Sequence, residues 1–416
     1  MPIIMHIDAN SAYLSWEAVH RLSTRGGMDL REIPSVIAGD PTKRHGIILA
    51  KSMAAKRVGI KTGESLMAAR NKCPGLVVVG PNYDLYLACS DAMHEILTEY
   101  SPLVQRYSVD ECFLDYTQSQ NRYGDPVAAA FEIKERIKKE LGFTVNVGVS
   151  TNKLLAKMAS ELEKPDRVHT LWPEEVPSKM WPLPVEELFM VGRATGRKLR
   201  ERNINTIGDL ARQNPHHMKA FLKSPGLLIL SFANGIDTSR VVLNEEIIQK
   251  GIGNSTTLSF DATGRKEALM VLLALTERVC ARLRRFGRVC SLISLFIKTN
   301  EFHGVSHQLQ LQCYTNSTSD IYRYAVRLFD EMWRGEPIRQ LGVHVSHFTK
   351  DSLVQLSIFD MKNRDHEEKI DQAVDQVRAR FGDRAIMRGC FANSPIQPLQ
   401  GGVNEGDYVG MGGYRS

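Results

Sequence analysis

Acidic residues next to apolar stretches constrain this chain more than any other feature. Asp8 follows the run Ile3-Ile4-Met5-His6-Ile7, and the pair Asp110-Glu111 directly precedes Cys112-Phe113-Leu114. Apolar runs with β-branched residues are typical of buried strands. A carboxylate at the end of such a strand is costly unless a cation or hydrogen bonds compensate its charge. A fold for this chain must therefore pair or solvate these acids.

The three acids form a candidate metal site. Carboxylate oxygens are ligands that Mg²⁺ prefers, and two such ions about 4 Å apart can stabilise the attacking and the leaving oxygens of a phosphoryl transfer. Consecutive strand residues point to opposite faces of a sheet, so Asp110 and Glu111 converge only at a hairpin tip or a bulge. Taken alone, the acid pair indicates an ordinary surface turn as readily as a ligand set.

Three separated motifs make the chain similar to a known family. In chain order they are Asp8-Ala9-Asn10-Ser11-Ala12-Tyr13, Ser108-Val109-Asp110-Glu111 and Ser150-Thr151-Asn152-Lys153-Leu154-Leu155-Ala156-Lys157. On these residues the chain resembles the Y-family translesion DNA polymerases, and the bacterial UmuC and DinB group in particular. The resemblance extends from the N-terminus to about residue 350. Ordered motifs of this kind are far more specific than any single one.

The resemblance implies an α+β multidomain fold. It is that of a right-hand-like polymerase with palm, fingers and a helical thumb, followed by a C-terminal α/β little finger domain. The expected boundaries are 1–18 and 79–171 for the palm, 19–78 for the fingers, 172–240 for the helix-hairpin-helix thumb, 241–250 for a linker, 251–350 for the little finger and 351–416 for a tail.

Hydrophobic spacing gives further predictions for single elements. It predicts two helices and two strands, over residues 126–141, 267–286, 143–149 and 290–298. The tail contains an amphipathic helical pattern, in Ile370, Val374, Val377 and Phe381. The glycine-rich residues 401–416 are expected to be disordered.

Composition excludes several classes of protein. The net charge of +6 and the pI near 8.8 are mild, but in the direction that a polyanionic partner requires. The seven cysteines include no C-x-x-C pair, which argues against a zinc knuckle and a disulfide framework. No segment approaches roughly 18 uninterrupted apolar residues. We therefore expect a cytoplasmic monomer with no membrane partner.

The resemblance implies three nucleotide-binding residues. Lys56 takes the place of a basic fingers residue that contacts the triphosphate, and Lys164 would supply a second cation. Met53 stands where many relatives have a phosphate-binding tyrosine. Tyr13 would be the steric gate, a ring that stacks beneath the sugar and excludes a ribose 2′-hydroxyl. Without the motifs, exposed lysines and a core tyrosine would be the ordinary interpretation.

The same resemblance implies two-metal-ion catalysis with deoxynucleoside triphosphates (dNTPs). Asp8 and Asp110 would bridge two Mg²⁺ ions, and Glu111 would help to hold the ion that activates the primer 3′-hydroxyl. The backbone carbonyl of Ala9 would ligate the nucleotide-bound ion. We expect low-fidelity, template-directed synthesis opposite damaged bases.

Contacts to primer-template DNA are also expected. The segment 191–199 resembles a helix-hairpin-helix turn, in which Gly192, Arg193 and Gly196 would approach a phosphate. The predicted helix over 267–286 carries a dense basic group, which favours phosphate contact over a merely solvated face. Its members in the predicted DNA-binding set are Arg282, Arg284 and Arg285.

A short peptide in the tail predicts a protein partner. Gln355-Leu356-Ser357-Ile358-Phe359 resembles the motif by which bacterial polymerases bind the sliding clamp, the β subunit of the replicative polymerase. Its expected anchors are Gln355, Leu356, Ile358 and Phe359. A glutamine and apolar anchors can fill a hydrophobic pocket with little ordered structure of their own.

Two other functions compete with this interpretation. A non-catalytic scaffold would keep the fold and bind DNA and clamp, but the retained acids argue against it. A metal-dependent nuclease would use the same ions to activate water. The predicted triphosphate-binding set argues against the nuclease, because a hydrolase would not need it.

Overall fold

The computed structural model describes residues 1–44, 46–247, 249–350, 361–392, 394 and 396. The chain divides into two compact units. Of the described residues, the first unit includes 1–39 and 47–247, and the second includes 40–44, 46 and those from 249 to 396. Both mix helices with strands, as an α+β fold requires. No helix among the described residues combines the length and the apolar character needed to cross a membrane.

The first unit contains eight strands and ten α-helices among its described residues. They are β1 (Ile4–Ala9), α1 (Ala12–Arg25), β2 (Ser35–Ala38), β3 (Ile48–Lys51), α2 (Met53–Arg57), α3 (Leu66–Lys72), β4 (Val77–Val79), α4 (Tyr83–Tyr100), β5 (Val104–Arg106), β6 (Glu111–Asp115), α5 (Gln120–Tyr123), α6 (Pro126–Leu141), β7 (Val145–Ser150), α7 (Lys153–Glu161), β8 (Val168–Thr170), α8 (Arg193–Arg200), α9 (Ile207–Ala211) and α10 (Pro215–Ala233).

Strand β1 lies in the middle of a five-stranded sheet of order β5-β6-β1-β7-β8. It is antiparallel to β6 and to β7, and all its residues are buried. Met5 and Ile7 pack in a core with helices α1, α4 and α6, whereas Ile4 packs in a second core with α7. Because strand side chains alternate, Asp8 shares the α7 face of the sheet with Ile4 and His6.

Helix α6 confirms the helix predicted over residues 126–141. The Asp125 side chain accepts from the Ala128 amide, Pro126 begins the helix, and Gly142 ends it with a φ of 76°. Each of these residue types favours its position, because an acid caps free amides, proline fixes φ and glycine tolerates the left-handed region. Strand β7 follows, close to the strand predicted over residues 143–149.

A smaller sheet of order β3-β2-β4 lies between the residues of α1 and α4 along the chain. Its core contains Val36, Ile48 and Leu66, and helices α2 and α3 begin at serine caps. The predicted boundaries between palm, fingers, thumb and little finger stay predictions. Helix α1 continues across the predicted boundary between palm and fingers at residue 18.

The second unit contains an antiparallel sheet of order β11-β10-β12-β9. Its elements are β9 (Gly251–Ala262), α11 (Arg265–Arg285), β10 (Arg288–Thr299), β11 (Gly304–Thr315), α12 (Thr318–Met332), β12 (Ile338–Lys350) and α13 (Met361–Phe381). Helices α11 and α12 pack with the sheet around one core. The helix predicted over 267–286 and the strand predicted over 290–298 are confirmed.

Helix α13 confirms the helix predicted in the tail. Ile370 and Phe381 on this helix are 49% and 66% exposed, whereas Asp371 and Arg378 are buried. The last two form ion pairs with α11, so charged contacts lie on the buried side of α13.

Candidate active site

Strand pairing brings Asp8 and Glu111 side by side, as register partners in the antiparallel β1–β6 pair. Asp110 precedes β6 in a turn, and its carbonyl accepts from the Ala9 amide at 2.9 Å. The Ser108 hydroxyl lies 2.5 Å from Asp110 Oδ1 and 3.5 Å from Glu111 Oε2. The turn therefore brings both acids of the pair to the same hydroxyl, which a regular strand would prevent.

A third carboxylate joins Asp8 and Glu111. One oxygen each from Asp8, Glu111 and Glu161 lie within 4.8 Å of one another, in the one such group among the described residues. Asp110 stands outside this group. Glu161 ends α7, and sequence reasoning missed it because only the fold brings that helix end to β1.

Two lysines neutralise these acids. The Lys164 ammonium pairs with Asp8 and, at 2.9 Å, with Glu161 Oε2. The Lys157 ammonium pairs with Glu111 Oε1 and lies 5.3 Å and 5.6 Å from the ring centres of Tyr107 and Phe189. Lys157 ends the third sequence motif, but the sequence does not predict its contact with Glu111.

Burial determines the protonation of the acid at the centre of the site. It raises the pKa of Asp8 to about 7; the Lys164 cation opposes this shift and the Glu111 charge adds to it. Burial also lowers the pKa of the neighbouring His6, which keeps that ring neutral. An ionised Asp8 is therefore undercompensated, and a divalent cation would supply the missing positive charge. The all-oxygen set of acids suits a hard cation such as Mg²⁺.

A cavity of about 310 Å³ lies beside the acids. Ala9, Lys56 and Lys164, three residues that the sequence predicts at the site, all line it. Arg31 and Lys51 line it as well, and sequence reasoning missed both. Small-molecule sites have volumes from roughly 300 to 1,000 Å³, so the cavity is large enough for a ligand.

Tyr13 lies near these acids on helix α1. Its ring stacks on Tyr86 at 4.4 Å between centres and meets Tyr83 edge-on at 6.3 Å. Burial raises the pKa of Tyr13, and the charge of Asp110 adds to this shift. The ring is half-buried against the core of the first unit. A packing role and a steric-gate role are both compatible with this position, so the gate stays a prediction.

The glycines of the predicted helix-hairpin-helix turn differ in their surroundings. Gly192 caps the N-terminus of α8, and it and Arg193 are exposed. A Cβ at Gly196 would contact the side chain of Glu186. Gly196 therefore packs closely against Glu186, while Gly192 and Arg193 are exposed.

The three arginines of α11 that are predicted to bind DNA also differ from one another. Arg284 donates to Asp375 at 2.6 Å and to Asp371 at 3.0 Å on α13, and its side chain is 11% exposed. Packing therefore explains Arg284. Arg282 and Arg285 line a cavity of about 490 Å³ between α11 and α13, and a DNA contact by these two stays a prediction.

The predicted clamp-binding residues Gln355, Leu356, Ile358 and Phe359 lie outside the described residues, as does the glycine-rich segment 401–416. Their predicted roles are untested by the fold.

Comparison with known proteins gives a consistent family match. The model described as "impB/mucB/samB family" matches residues 7–161, and that of the family's C-terminal domain matches residues 249–358. An "IMS family HHH motif" matches residues 173–204.

Curated relatives match most of the chain. DNA polymerase IV of Clostridium acetobutylicum is 48% identical over 386 residues, which are 93% of this chain and 97% of the relative. DNA polymerase IV of Acetivibrio thermocellus is 40% identical over 391 residues, 93% of this chain and 96% of the relative. Among solved structures, a Y-family DNA polymerase chimera of Dbh and Dpo4 matches with a TM-score of 0.72 at 21% identity, covering 83% of this chain and 98% of that chain.

Proposed function

The chain belongs to the impB/mucB/samB family, and from this membership we propose that Asp8, Asp110 and Glu111 hold two Mg²⁺ ions for nucleotidyl transfer. The protein is a DNA-directed DNA polymerase of the translesion class. The substrates we propose are primer-template DNA and dNTPs. The observation that carries the proposal is the convergence of the Asp8, Glu111 and Glu161 carboxylates beside a cavity lined by cations.

The acids fit the role of metal ligands. Asp8 has a raised pKa because burial disfavours its charge, and such a group gains most from a nearby cation. Asp110 and Glu111 approach from the adjoining turn and strand. When bound, Mg²⁺ would lower the pKa of the primer 3′-hydroxyl and stabilise the charge that develops on the α-phosphate.

The cavity fits the triphosphate. Lys56 and Lys164 line it, and a polyphosphate needs such fixed cations. Lys164 pairs with both Asp8 and Glu161, so it can release Asp8 to a metal ion while Glu161 keeps its ammonium at the cavity. The carbonyl of Ala9, also in the lining, is our proposed ligand of the nucleotide-bound ion. Tyr13 is the proposed steric gate.

We propose DNA contacts for Gly192 and Arg193 in the first unit and for Arg282 and Arg285 in the second. These groups would bind phosphates and would not read bases. The peptide Gln355–Phe359 is the proposed contact to the sliding clamp, which would raise the local concentration of the enzyme at a primer end. We expect a cytoplasmic enzyme that acts as a monomer.

Primer extension tests the proposed function directly. Wild type with Mg²⁺ and dNTPs should extend a primer on undamaged and lesion-bearing templates, and a chelator should stop it. Asp110→Ala should bind primer-template normally yet extend it negligibly. Near-normal extension by Asp110→Ala would exclude that residue as a metal ligand. Cleavage of the DNA without extension would favour the nuclease, and binding without either reaction would favour the scaffold.

A further inference from the structure

The cavity beside the acids has more cations than the predicted triphosphate contacts require. Arg31, Lys51, Lys56 and Lys164 line it, and no carboxylate side chain does. Arg31 already donates to both carboxylate oxygens of Asp29 and to the Gly142 carbonyl. Lys164 pairs with Asp8 and Glu161. Lys51 and Lys56 are the two lysines of this lining without an ion-pair partner among the described residues.

Strand β3 directs Lys51 into the cavity. Ile48 and Ala50 are buried, whereas Leu49 and Lys51 are half-buried, as the alternation of side chains along a strand requires. Lys51 ends β3 and lines the cavity. Its ammonium donates to the Thr62 hydroxyl at 3.0 Å, a single neutral acceptor for a group with three protons.

The charges around Lys51 favour an anion. Burial lowers the pKa of Lys51, and the neighbouring Lys56 cation lowers it further. Glu64 opposes this shift, but its carboxylate is bound to Lys72 at 2.5 Å and accepts from the Lys61 amide. Two lysines that repel each other in one cavity are stabilised together when a polyanion binds between them.

Met53 lies in the same lining, and its side chain has no hydrogen-bond donor for a phosphate. We infer that Lys51 Nζ binds the polyphosphate of the incoming nucleotide and supplies the polar contact that Met53 cannot make. This inference rests on the proposed polymerase function and adds a binding residue to it.

Steady-state primer extension over a dNTP concentration series tests the inference. Lys51→Ala should raise the KM for dNTP about tenfold, the loss typical of one charge-assisted hydrogen bond that is partly open to solvent. The change in kcat should be smaller, and the Kd for primer-template DNA should stay the same. Pyrophosphate, used as an inhibitor, should bind Lys51→Ala more weakly by a similar factor.

Three further variants make the test specific. Lys51→Arg should recover most of the affinity because it keeps the charge. Met53→Tyr in the Lys51→Ala background should recover part of it by restoring a donor on α2. Lys61→Ala is the matched control, since Lys61 is an exposed lysine of the same unit outside the cavity lining, and it should have the wild-type KM. Lys51→Met, which keeps most of the side-chain length, replaces Lys51→Ala if that variant does not fold.

The outcomes separate this inference from the proposed function. A wild-type enzyme that does not extend primers overturns the proposed function and this inference with it. An active wild type with an unchanged KM in Lys51→Ala and Lys51→Met overturns the inference alone. A loss of DNA affinity that exceeds the loss of dNTP affinity also overturns it, because Lys51 would then bind DNA rather than the triphosphate.

Discussion

The two units each contain a buried group of opposite charges, and the two groups differ in how fully the charges are satisfied. In the first unit, burial raises the pKa of Asp8 to about 7 despite its ion pair with Lys164. In the second unit, burial disfavours the charge of Arg284, but hydrogen bonds to Asp375 and the charge of Asp371 outweigh it and raise the pKa. The acids of the first unit therefore still need a cation, whereas the charge of Arg284 in the second unit is fully compensated by its acidic partners.

This difference in charge compensation distinguishes a ligand-binding site from a group of ion pairs that only stabilises the fold. Buried charges that are fully paired hold two elements together, here α11 and α13. A buried carboxylate that remains undercompensated is costly to the fold, and a bound ligand can remove that cost. Four predictions follow from this difference between the two charged groups. The opposite result in any of the four experiments would contradict it.

The largest effect is expected for Asp8→Asn. It should reduce primer extension by at least about a thousandfold, because charge stabilisation at the metal site is lost. Its melting temperature without Mg²⁺ should equal or exceed that of wild type, since the amide removes a buried charge and Glu161 still pairs with Lys164. Activity assays and thermal unfolding check this. A large fall in melting temperature would mean that Asp8 serves the fold as Arg284 does.

Arg284→Met is expected to lose stability rather than catalytic activity. Removing this guanidinium leaves the buried Asp371 and the half-buried Asp375 without their partner, and such a break costs about 3 kcal/mol. Hydrogen exchange of the α11 and α13 amides should accelerate. Adding Asp371→Asn and Asp375→Asn should restore part of the protection. Unchanged exchange in the single variant would show that these ion pairs contribute little.

Mg²⁺ binding should depend on pH through Asp8. The metal requires the ionised carboxylate, so its affinity should be about tenfold weaker at pH 6 than at pH 8, and about one proton should be released on binding at pH 6. In the metal-free protein the raised pKa has the opposite consequence. The contribution of Asp8 to the free energy of unfolding, taken as the difference between wild type and Asp8→Asn, should fall as the pH rises from 3.8 to about 7 and then level off. Calorimetry in two buffers measures both quantities, and equal Mg²⁺ affinities at pH 6 and pH 8 would contradict this account of Asp8.

The smallest effect is expected for Arg282→Ala combined with Arg285→Ala. If they bind phosphates, DNA affinity should fall several-fold for all sequences, and the salt dependence of binding should decrease by roughly one to two charges. Arg323→Ala on α12 is the control, because that exposed arginine pairs with Asp320 outside the cavity. An unchanged salt slope in the double variant would assign these arginines, like Arg284, to packing.

Sequence reasoning predicted the elements better than their contacts. The apolar run before Asp8 predicts a buried strand, and the caps at Asp125 and Gly142 predict the limits of α6, because both signals are local. Glu161 and Lys51 were missed because their places depend on how α7 packs on β1 and how β3 packs with α1, which are properties of the tertiary fold. The helix in the tail was predicted from hydrophobic periodicity, but its ion pairs with α11 were not, because they too depend on the tertiary fold.

The Lys157 side chain connects the acid site to α10 of the first unit through a chain of contacts. Its ammonium is bound to Glu111 and lies over the ring of Phe189, which in turn stacks on Phe232 of α10 at 6.2 Å. A displacement of α10 would move Phe189 and, through it, the cation that compensates Glu111. The position of α10 and the charge compensation of Glu111 are in this way linked through Phe189 and Lys157.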